Sequence, residues 1–152
     1  MPITLRPSAG VRMYASTGVP ATINAAGYAA LTWTEVEGAT NGGEIGDQME
    51  VQNFDSLSEG RLKYRGISDP GQIDLSLADM PTQAGQIILR NAFAAARGAA
   101  GETISVRIED ATGRGTYCRA MVAGWRRVYG GANDVQMRSA VMPITAGTIV
   151  EY

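Results

Sequence analysis

The sequence has 152 residues, 45% of them hydrophobic and 18% charged, with 19 glycines, one cysteine and no histidine. This length suits a single domain, and the glycine excess favours many turns over long helices. Without histidine, no Ser/His/Asp triad, Cys/His dyad or histidine-containing zinc site can form within one chain, and a lone cysteine excludes an intrachain disulfide. The formal net charge of -2 argues against a general nucleic-acid binder.

Charge is distributed unevenly along the chain. No Lys or Arg lies between Met13 and Gly60, although seven acidic residues do. Residues 1–80 hold ten acidic and five basic side chains, and residues 81–152 hold five acidic and eight basic ones, so the halves carry -5 and +3. The chain is therefore electrically polar along its sequence, and the two halves would match in sign across a contact between copies if they fell on opposite faces of the protein.

Residues 1–27 are small and polar and follow neither the helical nor the strand period. We interpret them as an N-terminal arm outside the core of a single β-rich domain that covers residues 28–152. The arm is too apolar for a solvated tail, so we expect it to dock on its own domain or on a neighbour. No apolar run approaches the length that spans a bilayer, and the N-terminus lacks a signal-peptide core, so we expect a protein kept in a cytosol.

Alternating apolar and polar residues predict strands after the arm. The predicted strands cover residues 30–36, 47–54, 61–65 and 72–77. A glycine-rich acidic loop separates the first two, from Glu37 to Glu44. In the third, the basic side chains fall on one face and Leu62 and Tyr64 on the other. Asp69-Pro70-Gly71 has the composition of a turn.

The only long helical pattern covers about residues 81–97. Pro81 suits a first helical turn and Gly98 a left-handed cap. The polar and apolar side chains fall on opposite faces, which indicates an amphipathic helix lying across a sheet. We expect Gln86 and Arg90 to face outward and Ile88, Leu89 and Phe93 to be buried.

The last third of the chain reads as consecutive hairpins. Predicted strands cover residues 104–109, 116–129, 135–142 and 148–152, with a tight connection at 110–115. Sequential hairpins imply antiparallel pairing. Cys118 lies within an apolar strand pattern, where a cysteine behaves as a small buried hydrophobe.

No motif in the sequence carries recognisable site chemistry. Gly113-Arg114-Gly115 joins two strands and has no helix N-terminus to bind a phosphate. The acids between Glu35 and Glu59 do not have the spacing of a calcium loop. Arg126 and Arg127 follow Trp125, but neighbouring strand residues point to opposite faces, which breaks up a base-stacking site. We therefore predict no catalytic residue, no cofactor and no metal.

The order of these segments resembles that of the tail tube proteins of long non-contractile-tailed bacteriophages and related gene-transfer particles. The resemblance extends from about Ala30 to Ile149 and lies in the order of the pieces. The most telling local pieces are Thr32-Trp33-Thr34-Glu35-Val36 and the opening of the helix at Pro81-Thr82-Gln83-Ala84-Gly85-Gln86.

The resemblance implies a mainly β fold, an antiparallel sandwich or barrel-like domain flanked by one helix, with an extended N-terminal arm and a long loop. It implies hexameric rings, with a continuous β-barrel around the lumen, that stack into a tube for double-stranded DNA, assembled in the bacterial host cytoplasm and carried in the virion tail. It implies partners in other copies of the chain, the tape measure protein and the tail terminator and distal tail proteins, but no membrane. The arm and the long loop, about residues 37–60, correspond to the stacking elements.

The N-terminal arm, the long loop and the basic strand over residues 61–65 supply the candidate residues for contacts within and between rings. The candidates are Ile3, Leu5, Arg6, Val11, Met13, Tyr14, Glu37, Glu44, Asp47, Glu50, Asp55, Glu59, Arg61, Lys63 and Arg65.

Two other classes of function compete with this interpretation. A soluble ligand- or carbohydrate-binding β-sandwich would use Trp33 or Trp125 as a stacking platform in a pocket. An enzyme restricted to carboxylate chemistry, such as a glycosidase, is disfavoured by the short chain. A compact monomer would favour the first of these, whereas rings or tubes would favour the tail protein.

Overall fold

The computed structural model of the protein describes residues 5–152. Within this range the strands are β1 (Arg12–Ser16), β2 (Thr34–Val36), β3 (Gln48–Ser56), β4 (Gly60–Asp69), β5 (Gln72–Ala78), β6 (Thr103–Glu109), β7 (Gly115–Met121), β8 (Gly124–Val128), β9 (Met137–Pro143) and β10 (Val150–Glu151). The α-helices are α1 (Ala25–Ala29) and α2 (Ala84–Ala94), and a 3-10 turn covers Ala100–Glu102. The strands pair antiparallel in three sheets, which confirms the predicted mainly β fold with one long helix.

The largest sheet contains a strand that the sequence pattern did not predict. Its order is β10-β7-β6-β1-β2, so β1 lies inside the sheet, between β6 and β2. Met13 lies opposite both Val36 and Ile108 and is only 3% exposed. The interpretation of residues 1–27 as lying outside the core is therefore wrong for residues 12–16. Five residues are too few to establish a period, and partners far along the chain supply the packing.

Residues 17–33 cover the face of this sheet that points away from the core. The Tyr117 ring stacks with Tyr28, Trp33 and Tyr152 at centroid distances of 5.0, 5.6 and 4.3 Å. The buried Tyr28 hydroxyl donates to the carbonyl oxygen of Thr148 at 2.8 Å. Burial raises the pKa of Tyr28 and so favours the neutral phenol that donates this bond. The strand predicted over 30–36 is correct only for Thr34–Val36, since α1 and a turn precede it.

The second sheet has the order β5-β9-β8. The predicted strand over 116–129 is interrupted at residues 122–123, where the chain leaves β7 in the first sheet and enters β8 in the second. Alternation continues across the break, so the pattern alone did not reveal it. Ala123 N donates to the carbonyl oxygen of Val141 at 2.8 Å and so begins the pairing with β9.

Helix α2 packs so closely on β2 that a Cβ atom at Gly85 would collide with the carbonyl oxygen of Glu35. Leu89 is fully buried and Arg90 is exposed, as predicted. The predictions for Gln86 and Phe93 are wrong: Gln86 is 2% exposed and Phe93 is 46% exposed. Gln86 faces inward because the buried backbone groups around it require a polar partner, which a hydrophobic pattern cannot predict.

The core lies where the two larger sheets and α2 meet. It contains Met13, Ala15, Val36, Ile73, Leu75, Leu77, Leu89, Ala92, Ile104, Val106, Cys118, Ala120, Val122, Ala140, Met142 and Ile144, with Ile88 packed against it. Burial raises the pKa of the Cys118 thiol to about 12, as expected for a small buried residue.

Candidate assembly surface

The third sheet is a two-stranded hairpin, β3–β4, whose strands pair only with each other among residues 5–152. Every β3 side chain except that of Ser56 is exposed, and so is nearly all of β4. A hairpin of two strands without further packing is marginally stable in water. Strand β4, with ten residues, is the longest strand in the described chain. Such a length is unusual for a strand whose side chains are nearly all exposed.

The hairpin exposes a large apolar surface. Leu57 at the tip is 110% exposed, Ile67 is 80% exposed and Phe54 is 59% exposed. Met49, Val51 and Tyr64 are also exposed. Exposed apolar surface on this scale is typical of interaction sites in soluble proteins.

The register of the hairpin places its three bases on one face. Phe54 lies opposite Leu62, and the adjacent pair on that face contains Tyr64. On the other face, β4 presents Arg61, Lys63 and Arg65, as the sequence predicts, and the exposed Val51 lies opposite Arg65. One face is therefore rich in aromatic and apolar groups, and the other combines the bases with an apolar side chain.

Arg61 is the one base of the hairpin with an ion-pair partner among residues 5–152. Its Nε lies 2.8 Å from Oδ1 of Asp55, directly across the strands. This hydrogen bond raises the pKa of the Arg61 guanidinium. Lys63 and Arg65 are left available to a partner molecule.

The predicted acidic contact residues are all exposed. Of these six, only Asp55 forms an ion pair among residues 5–152. The six are Glu37, Glu44, Asp47, Glu50, Asp55 and Glu59.

The N-terminal candidates fall into three groups. Leu5, Arg6 and Val11 are exposed, and Arg6 lies 3.4 Å from Asp110. Met13 belongs to the core, so its assignment as a contact residue is wrong. Tyr14 is half-buried beneath the Arg107 guanidinium, which lies 3.9 Å from the ring centroid. Ile3 lies outside the described residues.

The two edges of the β5-β9-β8 sheet differ. Loop residues 38–41 cover the free edge of β5: Thr40 N donates to the Ser76 carbonyl oxygen at 2.9 Å, and Ala78 N donates to that of Gly38 at 2.8 Å. The opposite edge belongs to β8, which pairs only with β9 among residues 5–152. An uncovered strand edge is a template for pairing with another chain.

Neither tryptophan forms an open platform for a ligand. Trp33 stacks on Tyr117, and its Nε1 donates to the Tyr28 carbonyl oxygen at 3.0 Å. Trp125 is covered by Arg138, 5.3 Å from the ring centroid, and lines a cavity of only about 60 Å³. Binding pockets for small molecules usually measure about 300–1,000 Å³.

Two larger cavities lie elsewhere. One, of about 560 Å³, lies between the 39–45 loop and β1, and the other, of about 790 Å³, lies at the base of the hairpin. Neither is lined by Trp33 or Trp125. The described residues contain no group of three acidic or cysteine side chains placed to hold a metal ion. None of the helices described is long and apolar enough to cross a membrane.

At the level of sequence, no protein-family model and no curated protein matches this chain. Similar folds occur among solved structures. A chain in the cryo-EM structure of the PVC sheath/tube terminator, from an extracellular contractile injection system, has a TM-score of 0.69 at 9% identity, over 99% of this chain and 98% of that one. A chain of the PVC sheath-tube complex has a TM-score of 0.67 at 8% identity, over 97% and 91%.

The SPP1 tail tube structure gives a TM-score of 0.65 at 11% identity, over 97% of this chain and 80% of that one. At such identities the likeness establishes the fold alone. The chain thus has a tail-tube-like fold, in agreement with the predicted fold class.

Proposed function

We propose that this protein is a structural virion protein whose copies form hexameric rings that stack into a tail tube. The tube is the conduit for double-stranded DNA in a long non-contractile-tailed bacteriophage or a related gene-transfer particle. One observation carries the proposal: a chain with a tail-tube-like fold exposes a long hairpin, rich in apolar side chains, that has nothing to pack on within its own residues 5–152.

Assembly would remove the exposed surfaces of the monomer. Burial of Phe54, Leu57 and Ile67 against other copies would stabilise the assembly by the hydrophobic effect. Sheets joined across subunits would also occupy the β8 edge, and a closed barrel has no edge left to aggregate. Stacking of identical rings is a heterologous contact that does not close, which generates a tube of indefinite length.

Charge fits a conduit role as well. The exposed acids between residues 37 and 59 give the assembly anionic surface, and a wall that repels phosphates would let DNA slide without friction. The protein therefore needs no enzyme chemistry, cofactor or metal in this role.

The partners follow from the architecture of such tails. The similar chains come from a sheath/tube terminator, a sheath-tube complex and a tail tube, which supports contacts with proteins at the tube ends as well as with other copies. We extend the proposal to the tape measure protein inside the tube and to terminator and distal tail proteins. Assembly would take place in the bacterial host cytoplasm and the product would reside in the virion tail.

A matched pair of substitutions tests the role of the hairpin. The chain has two phenylalanines, both about half exposed: Phe54 on β3 and Phe93 on α2. Phe54→Ser should leave the circular dichroism spectrum unchanged and abolish rings and tubes in negative-stain images. Phe93→Ser should assemble, because in the tail tube proteins that this sequence resembles the flanking helix lies on the outer side of the ring. Wild-type-like tubes from Phe54→Ser would contradict the proposal.

A further inference from the structure

The open edge of β8 carries an excess of positive charge. Arg126 and Arg127 lie on β8 and point to opposite faces of the sheet. Arg138, on the neighbouring strand, and Arg90, on α2, lie on the same face as Arg127. The acid Asp79 binds both Arg127 and Arg138, at 3.4 and 3.1 Å. Arg90 and Arg126 have no ion-pair partner among residues 5–152.

The face of β8 that carries Arg127 also contains a buried donor without an acceptor. Trp125 Nε1 is buried and has no hydrogen-bond partner among residues 5–152. The ring lines the cavity of about 60 Å³ between β8 and α2, together with Arg90 and Arg127. A buried N–H without a partner is costly, so this site favours an incoming acceptor such as a carboxylate or a backbone carbonyl.

The two strands of the projecting hairpin differ in charge. Strand β3 carries Glu50 and Asp55 and no base, and Asp47 directly precedes it. Strand β4 carries the three bases of the hairpin and a single acid, Asp69, at its end. An arginine-rich edge would attract the first strand and repel the second.

We propose that β3 of a second copy adds to the open edge of β8, with its acids matched to Arg126. This inference rests on the ring proposed above and names the two strands that meet across its subunit boundary. Backbone pairing would satisfy the open edges of both strands, and side-chain charge would select β3 over β4. Because β3 and β8 are different surfaces, the contact is heterologous and can close a ring.

Cysteine cross-linking identifies the strand that meets β8. Val128 on β8, 48% exposed, is changed to Cys in one population. A second population carries one Cys at each position from 49 to 55 in turn, and the matched control series carries it at each position from 61 to 67. The native Cys118 is fully buried and does not compete. The two populations are mixed before assembly and then oxidised.

The inference predicts covalent dimers, with at least about tenfold higher yield from the best β3 position than from any β4 position. Rings that cross-link through β4, or rings that cross-link through neither strand, would overturn it and leave the ring proposal standing. Protein that stays monomeric at every concentration would overturn the ring proposal and this inference together.

Charge exchange gives an independent test. Glu50→Arg and Arg126→Glu should each lower the assembled fraction about tenfold, and the double variant should recover most of it. Glu151→Arg and Arg97→Glu make the same charge changes at other exposed sites and should assemble normally. Single variants that assemble like wild type, or a double variant without recovery, would contradict the pairing.

Discussion

The Gln86 side-chain amide donates to the carbonyl oxygen of Glu37 at 2.9 Å and so joins α2 to the chain just beyond β2. The same nitrogen donates to the Ala78 carbonyl oxygen at 2.8 Å, and Oε1 accepts from Met80 N at 3.1 Å. One buried side chain thus satisfies three backbone groups, one just after β2 and two at the end of β5. Gln86 fixes where the helix lies relative to the 38–46 loop and to the end of β5.

Replacing the Gln86 amide with an apolar side chain should lower the stability of the fold, although it makes a buried position more hydrophobic. Gln86→Leu leaves three part-buried backbone groups without partners, so we expect a loss of about 3 kcal/mol in the free energy of unfolding. Gln136→Leu is the control because Gln136 is exposed, and it should change stability little. Urea denaturation measures both, and equal stability of the two variants would contradict this role for Gln86.

The exposures of Leu89 and Phe93 predict a large and a small loss of stability, respectively, when each side chain of α2 is truncated to Ala. Leu89 is fully buried, so Leu89→Ala should cost about 2–5 kcal/mol. Phe93 is half exposed, so Phe93→Ala should cost only about 1 kcal/mol. Thermal melting of both variants checks the order, and a larger loss at Phe93 would mean that the helix is rotated.

These two residues also illustrate what the sequence could predict. Strict alternation located β5 and β6 to within about two residues, because one buried face imposes a period of two. Helical spacing placed Leu89 correctly but assigned Gln86 and Phe93 to the wrong sides. The spacing describes hydrophobicity, whereas the position of Gln86 depends on backbone groups contributed by the ends of β2 and β5.

Part of the candidate assembly surface could also be predicted from the period of two in a strand. The bases of β4 alternate, so their common face follows from strand geometry. The isolation of the hairpin and the open edge of β8 depend on which strands pair, and a local pattern does not contain that information. The core position of Met13 was missed because β1 is short and lies within an aperiodic segment.

The position of β1 sets the limit for N-terminal truncation. Removing residues 1–14 deletes Met13 and, with it, three of the five residues of β1, which lies inside the largest sheet, so the domain should lose its cooperative unfolding transition. Removing residues 1–9 spares β1 and should leave a folded protein. Circular dichroism during heating distinguishes the two, and a stably folded 15–152 fragment would contradict the structural role of β1.

The Asp110 carboxylate should contribute to acid sensitivity. Its Oδ1 accepts from Thr112 Oγ1 at 2.6 Å, and hydrogen bonds from Thr112 and Arg114 together hold the pKa of Asp110 below its usual range. The stabilisation is therefore complete above the unfolded-state pKa, about 3.9, and is lost as the pH falls through the folded-state value.

Asp110→Asn should accordingly lose less stability than wild type between about pH 5 and pH 2. Asp47→Asn is the control, because the Asp47 carboxylate has no hydrogen bond or ion pair within the described chain. Denaturation curves at several pH values provide the measurement. Identical pH slopes for wild type and Asp110→Asn would refute this assignment.

Cryo-electron microscopy of the purified, concentrated protein tests the tail tube proposal most directly. Six domains, each roughly 30–35 Å across, should give rings about 100 Å wide with six-fold symmetry and an open centre. The rings should stack, with the β3–β4 hairpin in the contacts between subunits. Particles that remain compact monomers at every concentration, or that associate without a central channel, would contradict the account.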